Sequence, residues 1–266
     1  METTKKILVI AGLLVASVPL ISACENQNWL IDDENRFDGN VLEVSSDGIS
    51  TINPSYLQLN FVETSELSID EENLLIELKE EEKLARDVYL AMYEKWGSNI
   101  FMNISKAEET HMKSVIRLLS NYGSSDTLVA FTGGFADTKF QDLYDTLVNK
   151  GSQSIEEAMG IGALVEEMDI FDINVILDQT ENPNIVMVLG NLEKGSRNHL
   201  RSFNKQLSNL GITYSPEYIS QSEYEQIISS SIETGNINGS SGNSRNTTNS
   251  DKSAKGKGNR NRLGNR

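Results

Sequence analysis

The 266-residue chain carries a formal charge of −16, which repels phosphate, excludes a general nucleic-acid binder and favours a cation as partner. Hydrophobic residues make up only 38%, low for a chain packed along its whole length, so part of it is expected to lie outside any core. The single cysteine, Cys24, excludes an intramolecular disulfide and a cysteine-rich zinc site.

Lys5 and Lys6 precede an apolar run from Ile7 to Val18, which is too short to span a bilayer as a mature helix but has the form of a secretory leader. It ends in Ile21-Ser22-Ala23-Cys24, which resembles a prokaryotic lipoprotein box. Residues 1–23 are therefore expected to be a lipoprotein signal peptide and Cys24 the lipidated first residue of an exported, membrane-anchored protein. An ordinary cleaved leader is the alternative. Residues 24–66 read as a tether, with Asp47-Gly48 between Val44 and Ile49 as the turn of a small hairpin.

Helical periodicity begins at Ser68, an N-cap residue, and stops at Gly97. Steps of about 100° per residue place Leu75, Leu78, Ala85, Tyr89, Met92, Tyr93 and Trp96 on one side, with Lys83, Asp87 and Glu94 opposite. Glu82 falls inside the apolar stripe and Glu81 at its margin, so geometry does not exclude Glu81. A carboxylate in that stripe needs a partner, either a cation or Arg86 one turn on.

The second helix starts at Asn99 or at Ser105 and ends before Gly123. Glu108 and His111 lie in the middle of its apolar side at i, i+3 spacing, so both side chains reach one point, and Glu109 points to the rim. If the helix starts at Ser105, Glu108 closes a capping box instead. A loop with Gly133-Gly134 leads to a short amphipathic helix over 138–149. Ser154 then opens a third long helix that is apolar almost all round, with Glu156, Glu167 and Asn174 on its narrow polar face. Glu166 and Asp169 share the sector of Ile155, Met159, Ile173 and Ile176. Two acids there require a cation, protonation or pairing with each other or an arginine. Asp172 lies off that sector.

The fourth long helix follows Pro183 and runs to about Leu207, with Ser196 and His199 among its inner residues and Glu193 at the edge. A further helical piece over 221–229 reads as a cap. From about Glu233 the chain is Asn/Ser/Gly-rich and basic, with Arg245, Lys252, Lys255, Lys257, Arg260, Arg262 and Arg266, and is expected to be a disordered tail. Four long helices between residues 67 and 228 predict an all-α fold.

Glu82-Lys83-Leu84-Ala85-Arg86 with Tyr89 resembles the first-helix pattern of rubrerythrin and its ferritin relatives, and Glu108-x-x-His111 resembles their second-helix ligand pair. The runs 80–89, 101–112, 166–170 and 195–200 are more closely similar to an uncharacterised family of exported prokaryotic proteins, the domain of unknown function 2202 family. The resemblance implies a ferritin-like antiparallel four-helix bundle with short accessory helices and a carboxylate-bridged di-iron centre. Residue by residue, it implies Glu82 as the first-helix ligand, Glu108 and His111 as the second-helix pair, Glu166 as the third-helix carboxylate with Asp169 beside it, and His199 as the fourth-helix histidine. Ser196 stands where the ferritin pattern has a glutamate, so one carboxylate of that corner is absent.

Such a site suits iron, with manganese or zinc as alternatives. The expected activity is ferroxidase-like or peroxide-reducing. Without a four-cysteine rubredoxin module, electrons would come from an external donor. The competing expectation is a non-enzymatic surface bundle for metal binding or protein contact.

Overall fold

The computed structural model describes residues 41–45, 49–124 and 128–234. The leader, Cys24, the Asp47-Gly48 turn and the basic segment from 235 onward lie outside the described residues. Within them the fold is helical, with one small hairpin. Strands β1 (Leu42–Val44) and β2 (Ser50–Ile52) pair antiparallel, Leu42 opposite Ile52. Seven helices follow: α1 (Pro54–Gln58), α2 (Ile69–Trp96), α3 (Asn99–Asn121), α4 (Thr138–Gly151), α5 (Ile155–Leu177), α6 (Pro183–Asn209) and α7 (Gln221–Ser229).

Local chemistry sets the ends of the long helices. Ser68 and Glu71 form a reciprocal capping box at the start of α2, and Gly97 ends it at φ 65°, a left-handed conformation that costs glycine least. Ser98 is the only residue left before α3, so α2 and α3 fold back on each other as a hairpin. Ser154 accepts from the Glu157 amide to open α5, and Asn182 accepts from the Asn184 and Ile185 amides with Pro183 at the first position of α6. Each such cap contributes about 1 kcal/mol.

Apolar residues of the four long helices divide into two clusters. One holds Val88, Tyr89 and Met92 of α2, Phe101 and Ile104 of α3, Ala158 to Val165 of α5 and Leu200 to Leu207 of α6. The other holds Leu75 and Leu78, Val115 to Leu119, Ile173 and Ile176, and Ile185 to Leu192. The order in which each helix meets the clusters fixes its direction. Helices α2 and α6 run one way, and α3 and α5 the other. Every packed pair (α2 with α3, α5 with α6, α2 with α5, α3 with α6) is therefore antiparallel. Because α3 and α5 are parallel, the chain must return along the bundle between them, and α4 with its flanking loops makes that return, packing on α2 and α5.

Tyr89, Phe101 and Phe203 form a tilted aromatic trio in the first cluster, with centroids 5.4 to 6.4 Å apart, each pair adding about 0.5–1.5 kcal/mol beyond burial. Between the clusters lies a layer of polar side chains, Glu82, Glu108, His111, Glu166, Asp169, Ser196 and His199, all at or near zero exposure.

The hairpin read as part of a tether lies on this bundle. Val41, Leu42 and Ile52 are buried, and the Ile52 amide donates to Thr110 Oγ1 of α3 at 2.9 Å. At the other end the chain stays on the bundle through residue 234, because Glu233 is held by Arg197 and Arg201 of α6. Among the described residues no helix is long and apolar enough to cross a membrane.

Two face assignments need correction. Lys83 and Asp87, placed opposite the core by helical phase, are 1% and 0% exposed. Helix α2 is covered on that side too, by the loop before α4, whose Phe131 and Gly134 carbonyls accept from Lys83 Nζ and whose Gly133 amide donates to Asp87. Glu167, placed on the polar face of α5, is buried under the segment after α6, accepting from the Tyr214 hydroxyl and the Glu217 amide.

Candidate metal centre

Each long helix delivers its polar residue to the same level of the bundle. On α3, Glu108 and His111 are side by side as the i, i+3 spacing requires. The helix begins at Asn99, so Ser105 is interior and donates to the Met102 carbonyl, leaving no capping box for Glu108. On α2, Arg86 turns to Asp87, with Nη2 to Oδ1 at 2.8 Å, and Glu82 faces His111.

The pivot is Glu108. Its Oε2 lies 2.8 Å from His111 Nδ1 and its Oε1 lies 2.8 Å from His199 Nδ1. Glu82 Oε2 stands 3.4 Å from His111 Nδ1, and Glu166 Oε2 stands 3.4 Å from His199 Nδ1. The result is two triads sharing one carboxylate: Glu82, Glu108 and His111, and Glu108, Glu166 and His199. In each, the ligand-capable atoms all lie within 4.8 Å of one another. The imidazole rings stack, 5.5 Å between centroids. Asp169 is buried beside the triads and feels the charges of Glu82, Glu166 and Glu108, yet belongs to neither. Ser196 donates to the Leu192 carbonyl of its own helix and supplies no carboxylate. Glu193 pairs with Arg197.

These close approaches are not hydrogen bonds. Both oxygens of Glu82 and of Glu108, both ring nitrogens of His111, Glu166 Oε2 and His199 Nδ1 are buried with no aligned hydrogen-bond partner. Unpaired buried polar atoms each cost about 1–3 kcal/mol, more when charged. A cation at each triad would satisfy all of them except His111 Nε2, which faces Gly195, and carboxylate with imidazole is a donor set that suits iron, manganese or zinc. Three carboxylates offset all but one unit of the charge of two divalent ions, and Asp169 would offset the last.

Without a cation the layer is electrostatically strained. Burial raises Glu82 and Glu166 to about 7. Burial would also raise Glu108, but the imidazoles on its two oxygens hold it well below the carboxylate range. Burial pulls His111 down, yet Glu108 and then Glu82 outweigh it and raise the ring to about 9. Burial and the charge of Glu82 keep Asp169 well above its ordinary value.

Supporting contacts orient the ligands. The Ser50 backbone of β2 meets His199 Nε2, carbonyl at 3.0 Å and amide at 3.3 Å. The shorter contact suits Nε2–H donating to the carbonyl, which directs the Nδ1 lone pair into the triad. Asn198 ties the arrangement together, donating to Ser50 Oγ and to the Glu233 carbonyl. The Tyr89 hydroxyl donates to Glu166 Oε1 at 2.6 Å. Gly195 is required by His111, since a Cβ there would stand 2.6 Å from Nε2.

Sequence reasoning did not assign roles to these supports. Ser50 is 149 residues from His199 with no motif to link them. Gly195 carried a signal, a small residue directly before Ser196 on an inward face. Tyr89 was legible as core and as part of the first-helix pattern, but its partner Glu166 was not.

The match with known proteins falls on the same residues. The family model described as Uncharacterized protein domain (DUF2202) matches residues 71–231. The chain belongs to this family. It is also similar to Uncharacterized protein MJ0754 of Methanocaldococcus jannaschii, 48% identical over 170 residues, covering 64% of this chain and 92% of the relative. The crystal structure titled hypothetical protein MJ0754, from the same organism, matches at a TM-score of 0.64 and 46% identity, covering 65% of this chain and all of the other. The family is ferritin-like in type, and the helix directions and the mid-bundle polar layer agree with that type.

Proposed function

We propose that the polar layer is a two-ion centre, with iron the expected metal, in an exported and lipid-anchored protein that oxidises ferrous iron or reduces peroxide. The observation that carries the reading is the set of buried, unaligned donor atoms converging on Glu108 from four helices. Glu82, Glu108 and His111 would hold one ion, and Glu108, Glu166 and His199 the other. A bound iron pair supplies redox capacity that this chain's side chains lack. The protein's own contribution is to fix His199 in one tautomer, to share Glu108 between positions and to keep bulk water out through the apolar clusters on either side.

The anchor at Cys24 remains part of the proposal from the leader sequence, and an external donor supplies electrons. Ser196 favours a second reading, metal binding without turnover, because the fourth helix brings only an imidazole.

Metal analysis of protein purified without chelator, then anaerobic ferrous titration followed by oxygen, tests both. Two bound ions and a ferric charge-transfer band that grows with oxygen support the oxidase reading. Bound ions without an oxygen response support sequestration. No bound metal ends both.

A further inference from the structure

A second set of acids lies on the α2–α5 seam, outside the two triads. Glu77 and Glu81 are one turn apart on α2, and Asp169 and Asp172 are one turn apart on α5, a helix packed against α2. Their exposure is graded. The Glu77 side chain is 41% exposed, Glu81 and Asp172 are half-buried, Asp169 is 3% exposed and Glu82 is fully buried. Neighbouring charges link them in the same order: Glu77 and Asp172 act on Glu81, and Glu81 and Glu82 both act on Asp169. Asp169 Oδ2 is buried and has no hydrogen-bond partner. The carboxyl that carries this orphaned oxygen feels the charge of Glu81 on the outer side and of Glu82, Glu166 and Glu108 on the inner side. One cation is already in the mouth: Lys139 of α4 lies 2.9 Å from Glu77 Oε1 and is felt by Glu81 and Asp172.

We infer that Glu77, Glu81 and Asp172 form an entry site for divalent cations, that Asp169 passes the ion on to Glu82 and the triads, and that Lys139 occupies the entry until an ion displaces it. The inference rests on the two-ion reading above. A like-charged seam with low-dielectric walls concentrates cations and raises their rate of arrival by roughly 10- to 1000-fold. A half-buried carboxylate cluster with one lysine to share is poorly neutralised, so an arriving divalent ion gains at each step inward. This also gives Asp169 a role consistent with its place outside both triads.

The test is stopped-flow mixing of the metal-free full chain with Co²⁺, followed by the visible absorption of the bound ion. Glu81→Gln with Asp172→Asn should slow binding by roughly tenfold or more and weaken its dependence on ionic strength, with final absorption unchanged. Glu63→Gln with Glu66→Gln, the same charge change at an exposed loop, should leave the rate alone. Lys139→Met should speed binding. A wild-type rate in Glu81→Gln/Asp172→Asn would overturn the path. A proportionate fall in final absorption would overturn it as well, because those residues would then be ligands. Failure of the wild-type chain to bind Co²⁺ would instead remove the two-ion reading itself.

Discussion

Two clusters of buried charge leave α2 from adjacent residues, and they are built on opposite terms. From Lys83 the ammonium reaches Asp87 and two loop carbonyls, and Asp87 in turn accepts from Arg86 and the Gly133 amide. Every strong group there has a partner from the protein. From Glu82, one residue earlier, both oxygens enter the polar layer and find none aligned. Burial is equal in the two places. The difference teaches that buried charge alone does not mark a site; what marks one is buried charge that the protein declines to neutralise by itself.

Substitutions can break the contrast from either side. The largest effect is expected from Glu108→Ala, which removes the ligand common to both triads. Metal analysis should show both ions lost, while the circular dichroism of the helices persists. Single His111→Ala and His199→Ala changes should each lower the metal content, a result that a purely structural histidine would not give.

The next largest effect falls on the other cluster. Lys83→Ala leaves Asp87 with Arg86 and the Gly133 amide but takes the donor from two loop carbonyls, and should cost about 2–3 kcal/mol in denaturant unfolding, with metal stoichiometry of the folded protein unchanged. Gly195→Ala sits between the two in kind. The added methyl collides with the His111 ring, so roughly 1–3 kcal/mol of stability and part of the metal should be lost together. Tyr89→Phe leaves Glu166 one hydrogen bond short and should cost about 1 kcal/mol, read as a small drop in melting temperature with both ions retained.

A pH slope in the metal-free chain probes the same layer without any substitution. Glu82 and Glu166 are raised to about 7, so the folded chain holds protons that the unfolded chain releases from about 4.5 upward, and stability falls as pH rises between those values. His111, raised to about 9, contributes fully below 6.5 and loses that contribution as pH rises through 9. Both signs agree: melting temperature without metal should decline from pH 5 to pH 9, and metal loading should flatten the slope. A rising melting temperature over that range would contradict the charge arrangement.

Most of the scaffold was legible because it is written locally. Ser68, Gly97, Ser154 and Pro183 announce helix ends by capping chemistry, and the inward phase of Glu82, Glu108, His111, Glu166 and His199 follows from a regular helical repeat. Phase assumes one buried face per helix. It misplaces Lys83, Asp87 and Glu167, since the loop before α4 and the segment after α6 cover second faces of α2 and α5. Phase also grouped Asp169 with the ligands, and the structure buries it beside the triads without making it a member of either. Contacts that join distant segments, Ser50 with His199 and Asn198 with Glu233, leave no periodic trace.

The backbone of β2 against His199 has a practical bearing on how the domain is defined. A fragment cut at the boundaries of the family match, 71 to 231, would keep every triad side chain. It would discard the peptide that selects the His199 tautomer and the carboxylate that gathers Arg197 and Arg201. The smallest piece able to present both imidazoles correctly therefore begins before the first strand and ends after Glu233, wider than sequence similarity marks out.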